Sequence, residues 1–277
     1  AFTTIAKPSV HFDNITWAGS GSTTTITGMG FKPDIIWIKN YSGTGHPIFN
    51  DSTKGINFNW VPSGNNANDT NDYIQTYTSD GFTLKGGENS TNVGGSNFVS
   101  ACFKANGGTT SSNTSGTITS TVQANTTSGV SVVAFTGTGS AGTVADRGTT
   151  LNMSKIYVSD PETDNMQFAL NSATLTDGAT KWNDTAPTTT VFSIGSSNMM
   201  TGSGEAIIAY CFAEVQGFSK IGYYEGNGNA TTGAFIYCGF KPKYVMIKNA
   251  DASENWFCKQ PNLTGFGLGG QLTRTVK

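Results

Sequence analysis

This sequence is short of charge, histidine and cysteine, and each shortage removes a class of function. Charged residues make up 12% of the 277 positions and the formal net charge is −2, which excludes a basic nucleic-acid surface and a polybasic membrane patch. Only two histidines occur, His11 and His46. No Gly-x-Ser-x-Gly nucleophile turn and no His-Glu-x-x-His accompanies them, and His46, beside Pro47 in a Gly-rich loop, reads as a turn residue. Four cysteines are too few for a disulfide scaffold and lack the Cys-x-x-Cys spacing of zinc or dithiol chemistry. Cys102 and Cys211, each followed by Phe in an apolar run, read as small buried hydrophobes. Cys238 and Cys258 approach each other only if their strands form a hairpin. No run of about 18 apolar residues is present, so no membrane-spanning helix is expected. The N-terminal AFTTIAKPSV lacks the charged head and apolar core of a signal peptide, and Ala1 reads as the residue left when an initiator Met is removed. The expectation is a protein with no cofactor, no metal and no enzymatic activity.

What the chain does have is glycine, at 35 residues, together with much Thr, Ser and Asn. Such a composition suits disorder, but 11% aromatics spread along alternating apolar runs call for a packed all-β core. The stretch that organises the rest is GFKPDIIWIKN at 30–40, which recurs as GFKPKYVMIKN at 239–249; 239 minus 30 and 249 minus 40 both give 209. Pro33 and Pro242 cannot donate to a ladder and place the turn at the mouth of a strand. Beyond it Ile36, Ile38 and Asn40 alternate with Ile35, Trp37 and Lys39, the pattern of a strand covered on both faces.

Other segments recur too. An aromatic-x-Gly-x-Gly turn appears at Trp17–Gly21, Phe135–Gly139 and Tyr224–Gly228, at spacings of 118 and 89 residues, so the repeat is not a fixed-period solenoid. Asp80-Gly81-Phe82-Thr83-Leu84 leads to Asn97–Phe103, and Thr190–Ile194 leads to Ala206–Phe212. Phe82 to Phe192 is 110 residues and Cys102 to Cys211 is 109. These offsets predict two tandem antiparallel β-sandwich units related by internal duplication: an N-terminal arm at 1–13, a first unit at 14–129, a second at 130–264 and a Gly-rich tail at 265–277. Residues 106–129 begin as a flexible Ser/Thr/Gly linker, and from Gly116 they carry strand propensity. Residues from Ile221 onward either complete the second sandwich or begin a third unit that is cut short.

Candidate chemistry is sparse. Asp69 and Asp72 in one loop, and Asp160, Glu162 and Asp164 in another, are the carboxylates that glycosidase chemistry or Ca²⁺ would use, although neither loop has EF-hand spacing and both suit Asp capping its own turn. Gly137–Gly142 formally matches a dinucleotide fingerprint, but Thr143–Gly148 gives no helix to hold a pyrophosphate, so a hairpin turn is expected. Trp60, Tyr73, Tyr77, Trp182 and Trp256 could stack on sugars or lie in a core. Asn-x-Ser/Thr triplets, as at Asn14, Asn50, Asn68, Asn125 and Asn262, follow from composition.

Taken together, the Gly-Phe-x-Pro-Asp strand ending in Trp-Ile-Lys-Asn, the Asp-Gly-Phe strand, and the strand ending in Cys102-Phe103-Lys104-Ala105 resemble the repeated β modules of uncharacterised virion proteins of tailed, marine or aquatic bacteriophages. Ser120–Gly129 and Trp182–Thr188 fit the same pattern, so the resemblance spans about 14–258. It implies a jelly-roll or concanavalin-like sandwich in a structural or tail-fibre protein, with other virion proteins and further copies of the chain as partners. Two departures, Asp34 against Lys243 and Trp37 against Met246, and the small number of units argue for a compact appendage or capsid decoration over a long fibre shaft. A glycan-binding adhesin for the host surface is the alternative. Neither nucleic acid nor membrane is an expected partner.

Overall fold

The computed structural model describes residues 3–61, 70–145, 179–185, 187–247, 249, 257–260 and 266–267. The chain divides into two compact units, one of residues 7–111, 168–175 and 243–277, the other of residues 1–6, 112–167 and 176–242.

The first of these is built from β1 (Phe12–Ala18), β2 (Thr24–Ile26), β3 (Ile35–Asn40), β4 (Ile48–Asp51), β5 (Asn59–Trp60), β6 (Ile74–Thr78), β7 (Gly81–Leu84) and β8 (Asn97–Phe103). A five-stranded sheet of order β1-β8-β3-β4-β5 packs on a three-stranded sheet of order β2-β7-β6. Ile36, Ile38, Phe98 and Cys102 from the larger sheet meet Ile26, Ile74, Phe82 and Leu84 from the smaller one. Period 2 puts Ile35 and Trp37 on the opposite face of β3, and Ile35 is also fully buried. The two-faced burial expected of this strand is present.

The second unit contains β9 (Ser111–Asn113), β10 (Ser120–Asn125), β11 (Val130–Thr136), β12 (Gly142–Ala145), β13 (Val191–Ile194) and β14 (Ala206–Phe212), with one-turn helices α1 (Ala179–Trp182) and α2 (Asn198–Thr201). Its sheets have order β14-β11-β10-β9 and β12-β13, and Val122, Val133, Phe135 and Cys211 face Val144, Phe192 and Ile194 across the core. The fold is all-β, with antiparallel sheets in both units.

The remaining strands, β15 (Val245–Ile247), β16 (Phe257–Lys259) and β17 (Phe266–Gly267), form a third sheet that belongs to the first unit. The Tyr244 ring lies 6.1–6.2 Å from those of Phe12, Trp37 and Phe103, which covers part of the outer face of the five-stranded sheet. Lys243 adds an ion pair to Asp13 at 3.1 Å.

The units divide elsewhere than at 13/14, 129/130 and 264/265. Ser120–Asn125 pair along Val130–Phe135, so backbone hydrogen bonding binds β10 to the second unit. Residues 1–6 also go with that unit, where Ile5 is buried, while Phe12 and Asp13 are already inside β1. In the expected tail, Phe266 pairs with Cys258.

Pairing registers obey the sequence offsets. Trp17 pairs with Phe98 and Asp13 with Cys102, as Phe135 pairs with Ile207 and Ser131 with Cys211. Ile26 pairs with Phe82 as Val144 pairs with Phe192. The hairpin β3–β4, with Ile36 opposite Asn50 and Trp37 opposite Phe49, recurs in β15–β16, with Val245 opposite Lys259 and Met246 opposite Cys258. A one-residue slip would turn every side chain to the wrong face, so shared registers reflect shared facial patterns.

The aromatic-x-Gly-x-Gly turns carry each chain from one sheet to the other. They link β1 to β2 and β11 to β12, which lie in different sheets, and so are crossovers and not the hairpin expected at Gly137–Gly142. A Cβ on Gly19 would overlap the Val93 carbonyl oxygen, and one on Gly137 the Gly202 carbonyl oxygen. The next glycine is left-handed in both, with φ of 72° at Gly21 and 74° at Gly139, a conformation that costs other residues energy. At Gly226 in the third copy, by contrast, a Cβ would meet nothing within 4 Å. Gly19→Ala is therefore expected to destabilise the protein by about 1–3 kcal/mol through overpacking, whereas Gly226→Ala changes stability by less than about 0.5 kcal/mol. Urea titrations of the two variants check this contrast.

Candidate functional site

Two polar side chains that the strands bring inward, Asp34 and Asn50, and a third at the surface, Asp80, decide how carboxylates and amides are used here. Asp34, fully buried, sits where the Gly-Phe-Lys-Pro turn enters β3. Its Oδ1 accepts from Ser52 Oγ at 2.6 Å and the Gly108 N–H at 2.7 Å, and its Oδ2 accepts from the N–H groups of Ala105 at 2.7 Å and Gly107 at 2.8 Å. The carboxylate thus holds the loop that follows β8, with both oxygens engaged twice. Sequence reasoning missed this role. The only available signal was that an acidic residue sits beside apolar strand positions.

Asn50 faces inward from β4 opposite Ile36. Its Nδ2 donates to the Phe58 carbonyl and to Asn59 Oδ1, both at 3.0 Å, and its Oδ1 accepts from the Tyr77 hydroxyl. Burial pushes that phenol well above its ordinary pKa, with the charges of Asp51 and Asp34 adding to the effect. Asp80, the acid of the Asp-Gly-Phe motif, accepts from the N–H groups of Gly28 and Gly30. Those backbone donors, Gly30 first, hold its carboxyl below the usual range.

Of the carboxylates singled out for catalysis or Ca²⁺, Asp72 alone lies among the described residues. Asp72 lies 2.7 Å from Lys85, which also reaches Glu88 at 3.1 Å. The hydrogen bond from Lys85 is the main cause of the lowered Asp72 pKa. Exposed pairs of this kind contribute little stability. Asp69, Asp160, Glu162 and Asp164 lie outside the described residues. Among the described residues, no three His, Cys, Asp or Glu side chains are grouped to hold a metal ion. His11 is half-buried, and burial, aided by the Lys104 charge, lowers its pKa; His46 is exposed.

The five aromatics considered for sugar stacking separate. Trp60 is 38% exposed with its ring set edge-on to Phe49 at 5.8 Å. Tyr73 is buried, Tyr77 is tied to Asn50, and Trp182 packs against the second core. Trp256 lies outside the described residues. Among the described residues the most exposed aromatics are others: Tyr223, Tyr224, Phe235 and Tyr237 follow one another along an extended stretch, with Phe235 89% and Tyr237 75% exposed. None of the four cysteines forms a disulfide. Cys102, Cys211 and Cys258 are buried, and burial pushes the thiols of Cys102 and Cys258 up to about 12.

A family model described as a domain of unknown function (DUF7483) matches residues 7–265. The chain belongs to that family. No curated protein and no solved structure matches the chain. The matched span runs through both units and includes β15 and β16 of the third sheet, so the DUF7483 domain takes in the repeated registers described above.

Two outcomes follow from these polar contacts. Asp34→Ala leaves four donors without their acceptor and is expected to cost about 3 kcal/mol or more, measured by urea unfolding. Asp80 has a folded pKa below its unfolded value of about 3.9, so its contribution is complete above that pH and disappears as pH falls through the depressed folded value. Melting temperatures recorded from pH 6 to pH 2 should show a weaker acid dependence in Asp80→Asn than in the parent.

Proposed function

We propose that this protein is a non-enzymatic structural component on the exterior of a tailed-phage virion, serving as a capsid decoration or a tail or fibre appendage. The observation that carries the proposal is a β module repeated register for register, whose carboxylates and amides are spent on holding turns. Asp34 and Asp80 each restrain a loop through backbone N–H groups, and Asn50 ties a loop to its strand. Such modules present neutral, shape-defined surfaces of the kind that assemble by packing and hydrogen bonding. The motifs shared with phage virion modules supply the setting, with other virion proteins and further copies of this chain as partners. Mass spectrometry and cryo-electron microscopy of purified particles should find the protein at regular positions on the capsid or tail. Particles that lack it would defeat the proposal.

The alternative is a glycan-binding adhesin for the host surface, favoured by the exposed indole of Trp60. On that alternative a glycan array gives a signal that Trp60→Ala reduces by about tenfold, the loss expected when a stacking aromatic is removed.

A further inference from the structure

The pair Asn-Gly occurs twice in the sequence, as Asn106-Gly107 and Asn227-Gly228. In this dipeptide the backbone nitrogen can attack the preceding side-chain amide with little hindrance, because glycine places no Cβ beside the nucleophile. Both asparagines are exposed, and both donate through Nδ2 to a carbonyl a few residues on, Asn106 to Thr109 and Asn227 to Thr232. They differ in what holds the nitrogen that would attack and the oxygen that would take the charge.

At Asn106 the nucleophile is held. The Gly107 N–H donates to Asp34 Oδ2 at 2.8 Å, between the Ala105 and Gly108 N–H groups that bind the same carboxylate at 2.7 Å. The nitrogen must lose its proton to attack, and the carboxylate charge beside it disfavours the anion. At Asn227 the arrangement is the reverse. No acceptor among the described residues takes the Gly228 N–H, and none of their atoms stands within 4 Å of the Cβ position there. Asn227 Oδ1 accepts from the Asn229 N–H at 3.1 Å, which is the donor that an oxyanion forming on that atom needs. Asn229 is fixed in turn, its Oδ1 accepting from the N–H groups of Thr231 at 2.8 Å and Thr232 at 2.9 Å.

We propose that Asn227-Gly228 is a self-modification site whose co-reactant is water. Hydroxide takes the Gly228 amide proton, the nitrogen attacks Asn227 Cγ, and the carbonyl electron pair moves onto Oδ1, where the Asn229 N–H meets it. The pair then returns and the Cγ–Nδ2 bond breaks. Nδ2 leaves as ammonia with a proton from water, which regenerates the hydroxide. A second water opens the resulting cyclic imide at either carbonyl and leaves aspartate or isoaspartate at position 227. No atom is oxidised or reduced. The product carries one more negative charge on the exposed stretch that bears Tyr223, Tyr224 and Glu225, so this surface changes charge as the protein ages. Asp34 protects the other Asn-Gly pair from the same fate. The chemistry needs no partner and holds whether or not the protein resides on a virion.

The test incubates the full chain at mildly alkaline pH in oxygen-18-labelled water and follows both sites by peptide mapping and mass spectrometry, with the urea-unfolded chain as reference. In the native chain Asn227 should convert at least as fast as in the unfolded one, taking up labelled oxygen as it does. Asn106 should convert roughly ten- to a hundredfold more slowly native than unfolded, the worth of a hydrogen bond to a charged group. Asn229→Pro removes the N–H that faces Oδ1 and should slow conversion of Asn227 roughly three- to tenfold, the worth of one neutral hydrogen bond, with the urea midpoint unchanged. An Asn227 that stays intact in the native chain, or that converts no faster than Asn106, overturns the proposal. An Asn229→Pro rate equal to the parent's overturns it as well, by showing an exposed amide that the fold does not assist.

Discussion

The structure depends on the pairing of an aromatic-ended strand with an apolar strand ending in Cys-Phe, seen as β1 with β8 and β11 with β14. That pair forms the spine of each larger sheet. The glycine immediately after the first strand lets the chain press against the approach to the second, where a Cβ would collide with a carbonyl oxygen. This close passage sends the chain into the opposing sheet, and Phe82 or Phe192 then closes the core from there. Around Gly226, where no such strand stands alongside among the described residues, the same motif lies open.

A chain so rich in Thr, Asn and Gly must stabilise its interior with hydrogen bonds as well as apolar area. Asn40, Asn50, Asn59 and Asn92 are all fully buried, and each bonds to backbone or to another amide. Asn40 reaches the Asn89 carbonyl, and Asn92 reaches the Ser22 carbonyl while accepting from the Ser20 N–H. Buried amides without partners would each cost roughly 1–3 kcal/mol, so these contacts fix loops to strands with little freedom. The position of Asp34 shows the local nature of the solution. Its counterpart Lys243 pairs with Asp13 instead and offers its carbonyl to Asn14.

The strands were legible because period 2 is a local property. Ile36 and Ile38 alternate with Ile35 and Trp37 in the sequence and do so in β3, and the recurrence of that pattern also indicated its register. The small role of Cys102 and Cys211 as buried hydrophobes was legible for the same reason. The unit boundaries were not. Ser120–Asn125 have a strand's composition, but which sheet takes them depends on Val130–Phe135 across a turn, and a hydrogen-bonding partner cannot be read from propensity. Which aromatic residues are buried stayed open for a related reason, since Tyr73 and Tyr224 are alike in sequence and differ in what covers them.

The sequence by itself determined the all-β class, the repeated turns and the facial pattern of each strand, because these follow from backbone sterics and from the alternation of side chains along an extended chain. Only the tertiary structure decided that Asp34 serves a loop some seventy residues away, that Tyr244 covers part of the outer face of the first sheet, and that Tyr224 and Phe235 stand uncovered. Those outcomes depend on which distant segments meet, and burial and hydrogen-bond saturation exist only once they do.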